Sequence, residues 1–135
     1  MEPLCAFQSG LFCLRSILGK VLTLDQLKKR GWTLANRCFL CLVEEEYIDH
    51  VLIHCSKAKV LWESIFALFG VTWVIPSSIK ATLLGWNDSF VGKKCQKVWK
   101  AVPLCLFWRV WKERNKIAFK KWGIFGSKIE KFFCL

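Results

Sequence analysis

Long apolar runs, linker-like stretches and acidic residues are all scarce in this 135-residue chain. The densest apolar stretch, Ala101 to Trp108, contains Pro103 and is closed by Lys100 and Arg109. It falls far short of the ~20 apolar residues of a spanning helix, so no transmembrane segment and no membrane partner are expected. A secretory pattern is also missing: Glu2 stands where positive charge is expected, and Gln8, Ser9, Gly10 and Arg15 interrupt the first apolar stretch. The protein is therefore expected inside the cell, in nucleus or cytoplasm. With 3 Pro and 8 Gly there is no Ser/Pro/Gly-rich linker, and no internal repeat or low-complexity tract is visible. A chain of this length accommodates one modest core rather than two.

What is abundant is apolar and basic. A 54% hydrophobic composition with 8 Trp and 11 Phe excludes general disorder and exceeds what a small solvated domain needs. The excess suggests a neighbouring surface on which to bury it. The 8 cysteines raise the question of a disulfide framework, but such scaffolds are secreted and poor in core residues, unlike this chain. Cys5, Cys13, Cys95, Cys105 and Cys134 read instead as small buried apolar residues. The formal net charge of +11 is uneven: residues 1–90 carry nine Lys/Arg against eight Asp/Glu, residues 91–135 twelve against two. Basic character thus belongs to the C-terminal third, and it suggests a polyanionic partner, most simply nucleic acid phosphate.

Helical signals recur along the chain. Leu22-Thr23-Leu24-Asp25-Gln26-Leu27 reads as a helix start with Thr23 and Gln26 as a capping box and Leu22 stapled onto Leu27; Lys28, Lys29, Arg30 and Gly31 suit its end. Glu44, Glu45 and Glu46 suit the first turn of a second helix, from which His50 would project. Ser56 caps a third helix whose apolar face includes Val60, Leu61, Trp62, Ile65, Phe66, Leu68 and Phe69, before Gly70. Pro76-Ser77-Ser78 starts a segment to about Leu84, followed by a loop at residues 85–88. From about Val91 to Phe119 the pattern is helical again, with Pro103 a point of bending and Trp99, Val102, Leu106 and Val110 on one stripe. Trp62, Trp99, Trp108 and Trp111 read as core.

The chemistry-bearing motif is Cys38-Phe-Leu-Cys41, then His50, then Cys55. Three thiols and an imidazole within eighteen positions are ligands that a tetrahedral zinc ion accepts, and two residues between the first cysteines let a tight turn aim both sulfurs one way. His54, four residues after His50, is an alternative fourth ligand that spacing does not separate from Cys55. A redox Cys-x-x-Cys is disfavoured because no βαβ pattern surrounds it. Three thiolates and a neutral His around Zn²⁺ leave one net negative charge, so the three glutamates are expected to point to solvent.

Cys38-Phe-Leu-Cys41, Glu46-Tyr-Ile-Asp-His50-Val-Leu-Ile-His-Cys55 and Trp62 together resemble the zinc-binding domain that follows the polymerase domain in plant LINE-type (non-LTR) retrotransposon reverse transcriptases. Upstream, Leu22 to Gly31 resembles the segment leading into that motif; downstream, Trp108-Arg109-Val110-Trp111-Lys112-Glu113-Arg114-Asn115 resembles its tryptophan-rich helix with an Arg-Asn ending. The resemblance covers about residues 19–120, leaving 1–18 as a divergent N-terminal segment and 121–135 as a C-terminal tail. It implies Cys38, Cys41, His50 and Cys55 as the ligands of one structural Zn²⁺. Tyr47 departs from the family, which usually has Ser or Thr there. No Asp-Asp pair occurs to hold the two metal ions of a polymerase.

The expectation is therefore a mainly α fold, a small helical domain organised around one structural Cys3His zinc site. Four protein ligands leave no open position, so no catalysis is expected. The expected function is zinc-dependent binding of RNA or DNA, with Lys93, Lys97, Lys100, Arg109, Lys112, Arg114, Lys116 and Lys120 on phosphates and Trp32 and Arg37 beside the zinc turn. The alternative is a protein-interaction or scaffolding module, or a non-functional remnant, whose aromatic surface packs on a reverse transcriptase or another protein.

Overall fold

A left-handed glycine ends the helix that leads into the cysteine turn. Helix α1 spans Leu24–Lys29, and Gly31 adopts φ 92 just beyond its Arg30 cap. The Gly31 N–H reaches the Lys28 carbonyl and the Trp32 N–H reaches the Leu27 carbonyl, both at 3.1 Å, the paired bonds of a Schellman motif. At the other end the capping box does not form. The Thr23 hydroxyl donates to the Asp25 carboxylate and the Thr23 N–H goes to the Val21 carbonyl. That end is satisfied from a distance: the Leu24 N–H donates to the Glu46 carboxylate at 3.1 Å and the Asp25 N–H to the Glu46 carbonyl at 3.3 Å.

The computed structural model describes Gly10, Arg15 and residues 21–122. Among these, every regular element is helical: a π-helical turn at His50–His54, helix α2 at Ser56–Phe69, helix α3 at Ile79–Gly85, single 3₁₀ turns at Asp88–Phe90 and Lys93–Cys95, and helix α4 at Gln96–Trp122. The mainly α expectation is thus observed. Cys55 rather than Ser56 occupies the N-cap position of α2, which closes at Gly70 in a second Schellman motif through Gly70 to Ala67 and Val71 to Phe66. Ser78 caps α3, its hydroxyl accepting the Ala81 N–H at 3.1 Å.

The core lies where α2 and α4 pack against the π-helical turn. Trp99, Val102, Leu106 and Val110 are all buried, as their common stripe requires, and so are Trp62, Phe107 and Trp111. Trp108 is only half-buried. Trp86 and Trp99 stack with centroids 4.3 Å apart, and Trp62, Phe66, Trp73 and Phe107 pack edge-on or tilted around the pair or each other. Cys95, expected buried, is exposed in a 3₁₀ turn, and Cys105 is half-buried. Cys5, Cys13 and Cys134, residues 1–9 and the tail beyond Trp122 lie outside the described residues.

Pro103 sits inside α4 because a neighbouring indole replaces its missing donor. A proline at 103 cannot bond the carbonyl four residues earlier, that of Trp99. The Trp86 indole N–H donates to this carbonyl at 2.8 Å. In Trp86→Phe the acceptor loses that donor, and we expect a loss of ~1–3 kcal/mol in urea unfolding. The loss should shrink when Pro103→Ala restores the backbone N–H; an equal loss in both backgrounds would contradict this pairing.

Candidate metal centre

A tight turn and a wide turn assemble the four ligands. In the first, the Cys38 N–H donates to the Glu44 carbonyl at 2.7 Å and the Leu42 N–H to the Cys38 carbonyl at 2.9 Å, folding residues 38–44 back on themselves. Leu42 closes it with φ 61, in the left-handed region. In the second, the Cys55 N–H donates to the His50 carbonyl at 2.6 Å, an i to i−5 bond. Such a π-type turn carries five residues where an α-helix carries four, so it places residue 55 rather than residue 54 beside His50.

The result is a single cluster: Cys38, Cys41, His50 and Cys55 each offer one ligand atom, and these atoms lie within 4.8 Å of one another. His54 is not in it; its Nε2 lies 2.7 Å from the Ser77 carbonyl, at the entry to α3. The turn geometry therefore separates the two readings that spacing left open. The neighbouring Asp49 also faces α3, accepting the Ile79 N–H at 3.0 Å.

The donor set fits zinc. Bond lengths of ~2.3 Å to sulfur and ~2.0–2.1 Å to nitrogen in a tetrahedron put sulfurs ~3.8 Å apart and sulfur ~3.6 Å from nitrogen. Here Cys38 Sγ and Cys55 Sγ are 4.0 Å apart and Cys41 Sγ is 3.4 Å from His50 Nε2. The sulfurs are far beyond the ~2.05 Å of a disulfide. His50 aims Nε2 inward, while its buried Nδ1 makes no hydrogen bond of good geometry. The exposed Glu44 carboxylate lies 3.3 Å from that nitrogen, off the hydrogen-bond direction but within reach as the orienting carboxylate of a ligating His. The Tyr47 ring rests at a tilt on His50, centroids 5.7 Å apart, and the Tyr47 carbonyl accepts the Val51 N–H.

One thiol of the buried pair is prepared for ligation. Cys38 donates to the Cys55 sulfur, so the pair holds a proton between them. That bond and then burial push the Cys38 thiol up. Accepting it pulls Cys55 down, burial opposing, with the backbone N–H groups of Lys57 and Ala58 at the start of α2 lowering it further. A bound zinc ion would take the place of the shared proton and tie the tight turn to the wide one.

Not all three glutamates face solvent. Glu44 and Glu45 do, but Glu46 is 0% exposed. Its carboxylate accepts the N–H of Leu24 at 3.1 Å and of Phe39 at 3.2 Å and pairs with the Arg114 guanidinium, whose Nε lies 3.2 Å from both oxygens. Its own N–H goes to Asn36 Oδ1 at 2.8 Å. Arg114 corrects the phosphate-binding expectation directly: it is also 0% exposed, lies between the rings of Phe39 and Trp111 at 4.8 and 4.6 Å, and bonds Asn115 Oδ1 at 3.1 Å. A guanidinium enclosed in this way does not reach solvent phosphate. The helical stripe already pointed inward here, since Arg114 follows Leu106 and Val110 at steps of four.

The other basic candidates, Lys93, Lys97, Lys100, Arg109, Lys112, Lys116 and Lys120, are exposed, as are Arg37 and Trp32. Lys116 pairs with Glu113 at 3.2 Å and Lys112 lies over Trp108 at 5.9 Å, both on the surface of α4. No helix among the described residues is long and apolar enough to cross a membrane.

No curated protein and no solved structure matches this chain. One family model does, the one described as zinc-binding in reverse transcriptase, over residues 3–62. The match contains all four clustered ligands, reaches upstream of residue 19, ends at Trp62, and covers a zinc-binding domain, not a catalytic polymerase domain. With that match laid over a Cys3His cluster of zinc dimensions, residues 3–62 are similar to the zinc-binding segment of reverse transcriptases.

Proposed function

We propose that this chain is a non-catalytic zinc-organised module of LINE-type retrotransposon origin that binds RNA or DNA without sequence preference, through the exposed basic face of α4. The domain spans residues 19–120, so that metal site and basic helix form one unit. Four protein ligands complete a tetrahedral site, leaving no position for substrate or activated water.

One observation carries the binding reading. Arg109, Lys112, Lys116 and Lys120 recur at steps of three and four on α4, where residues three and four apart share a face, and all four are exposed while the apolar stripe of the same helix is buried. The stripe runs over twelve residues, ~16 Å of helix, long enough to follow several phosphates of a strand. The Glu113–Lys116 pair offsets little of it, since exposed ion pairs are weak.

The test is the salt dependence of binding to a single-stranded oligonucleotide. Each phosphate contact removed should lower the slope of log K against log salt by ~0.7, so Lys112→Gln, Lys116→Gln and Lys120→Gln together should lower it by about 2. Binding that ignores salt, or a slope unchanged in the triple variant, would contradict the reading. A protein partner is the second reading, favoured by apolar side chains left in solvent: Leu68 at 78%, Val74 at 87% and Leu84 at 79% exposed. It requires salt-insensitive association.

A further inference from the structure

We infer that Glu46 and Arg114 are positioning residues that couple the metal centre to the basic half of α4, so that zinc occupancy sets where the phosphate-facing stripe stands. The metal-ligating turn and α4 are distant in sequence but joined at one buried point. Phe39 lies between the ligands Cys38 and Cys41 and makes two contacts there: its N–H donates to Glu46 Oε2 at 3.2 Å, and its ring covers the Arg114 guanidinium at 4.8 Å. Arg114 in turn belongs to α4, between Lys112 and Lys116. Glu46 also holds the first turn of α1, so one carboxylate meets three separate elements.

The two halves of α4 are held differently. Residues 96–108 pack into the aromatic cluster of Trp62, Phe66, Trp86 and Trp99, which contains none of the four ligands and touches the ligand turns through the Trp62 indole, donating to the Leu52 carbonyl at 2.8 Å. Beyond Arg109 the pairing of Arg114 with Glu46 and Phe39 ties the helix to the ligand turn. A short Cys-rich turn has little core of its own, so without zinc the Phe39 N–H and ring are not fixed. Glu46 then loses a donor and Arg114 one face of its stack. Because linkage is reciprocal, releasing the clamp should weaken zinc by the factor with which zinc steadies the helix.

The coupling is read by hydrogen exchange of the whole chain with and without zinc. In the wild type, zinc should slow exchange at residues 38–55 and, by about tenfold or more, at residues 109–120, while leaving 99–108 nearly unchanged. The single truncation Arg114→Ala strands a buried carboxylate and invites unfolding. The informative variant is Glu46→Gln with Arg114→Met, which removes both charges together. There zinc should still slow residues 38–55 but no longer 109–120, and zinc affinity should fall by a factor of 5 or more. Zinc-independent exchange at 109–120 in the wild type, or unchanged zinc dependence there in the double variant, would overturn the inference. No nucleic acid enters this experiment, so its outcome is separate from the phosphate-binding reading. Only the consequence, a nucleic acid affinity that rises with zinc, rests on that reading.

Discussion

Cys55→Ser is expected to lose zinc affinity by more than the ~10–100-fold that removal of an outer-shell partner costs, while His54→Ala keeps the wild-type affinity. The contrast follows from one backbone bond. An ordinary α-turn after His50 would stack residue 54 over it, whereas the His50–Cys55 bond of 2.6 Å widens the turn by one residue and swings Cys55 into the cluster. Serine offers a harder, neutral oxygen in place of a thiol whose pKa the Cys38 bond and the start of α2 lower. His54→Ala should show a different signature, a modest loss of stability of ~0.5–1.5 kcal/mol from its bond to the Ser77 carbonyl, with zinc retained. Competition against a chelator of known affinity measures both variants. Zinc kept by Cys55→Ser and lost by His54→Ala would reverse the assignment.

Arg114→Ala is expected to be among the most damaging single changes in the chain, costing ~3–5 kcal/mol by urea unfolding. The reason is what it leaves behind. Glu46 is fully buried and, without the guanidinium, has only the N–H groups of Leu24 and Phe39 to face it. With total stabilities of about 5–15 kcal/mol for domains generally, such a loss approaches the whole margin. By contrast Lys112→Ala, on the exposed face of the same helix, should stay within ~0.5 kcal/mol. The double change Glu46→Gln with Arg114→Met should recover most of the loss, since the desolvation of both charges is removed together. Additive losses in the double variant would show that the two side chains act independently.

Helices α1, α2 and α3 were legible because they rest on local chemistry, whereas the helix expected to begin at Glu44–Glu46 starts only at Ile48 and runs into the π-type turn. Gly31 and Gly70 sit in the left-handed conformation that ends a helix, Ser78 caps with its hydroxyl, and the period of Trp99, Val102, Leu106 and Val110 is that of a buried face. The ligand set was legible through its spacing and through the resemblance that favoured Cys55. Long-range pairing was not. Nothing in Glu44-Glu45-Glu46 marks the third carboxylate as the one that turns inward, because its partner lies 68 residues away. Thr23 fails as a cap for the same reason: Glu46 arrives from outside the helix and takes the first N–H. Arg114 carried a usable signal, its place on the apolar stripe, which was masked by the ten basic residues of the region between 91 and 121. Pro103 shows the same limit, since only the fold reveals that the Trp86 indole takes over the donor it lacks.

The measurement that bears most directly on the metal centre is a titration of the reduced, metal-free chain with cobalt(II) followed by displacement with zinc. Visible absorption reports both the geometry and the number of thiolates around cobalt. A tetrahedral three-thiolate spectrum that saturates at one equivalent per chain and is abolished by one equivalent of zinc is the expected result. An absence of thiolate bands, an octahedral spectrum, or cobalt that zinc does not displace would contradict a zinc site built from Cys38, Cys41, His50 and Cys55.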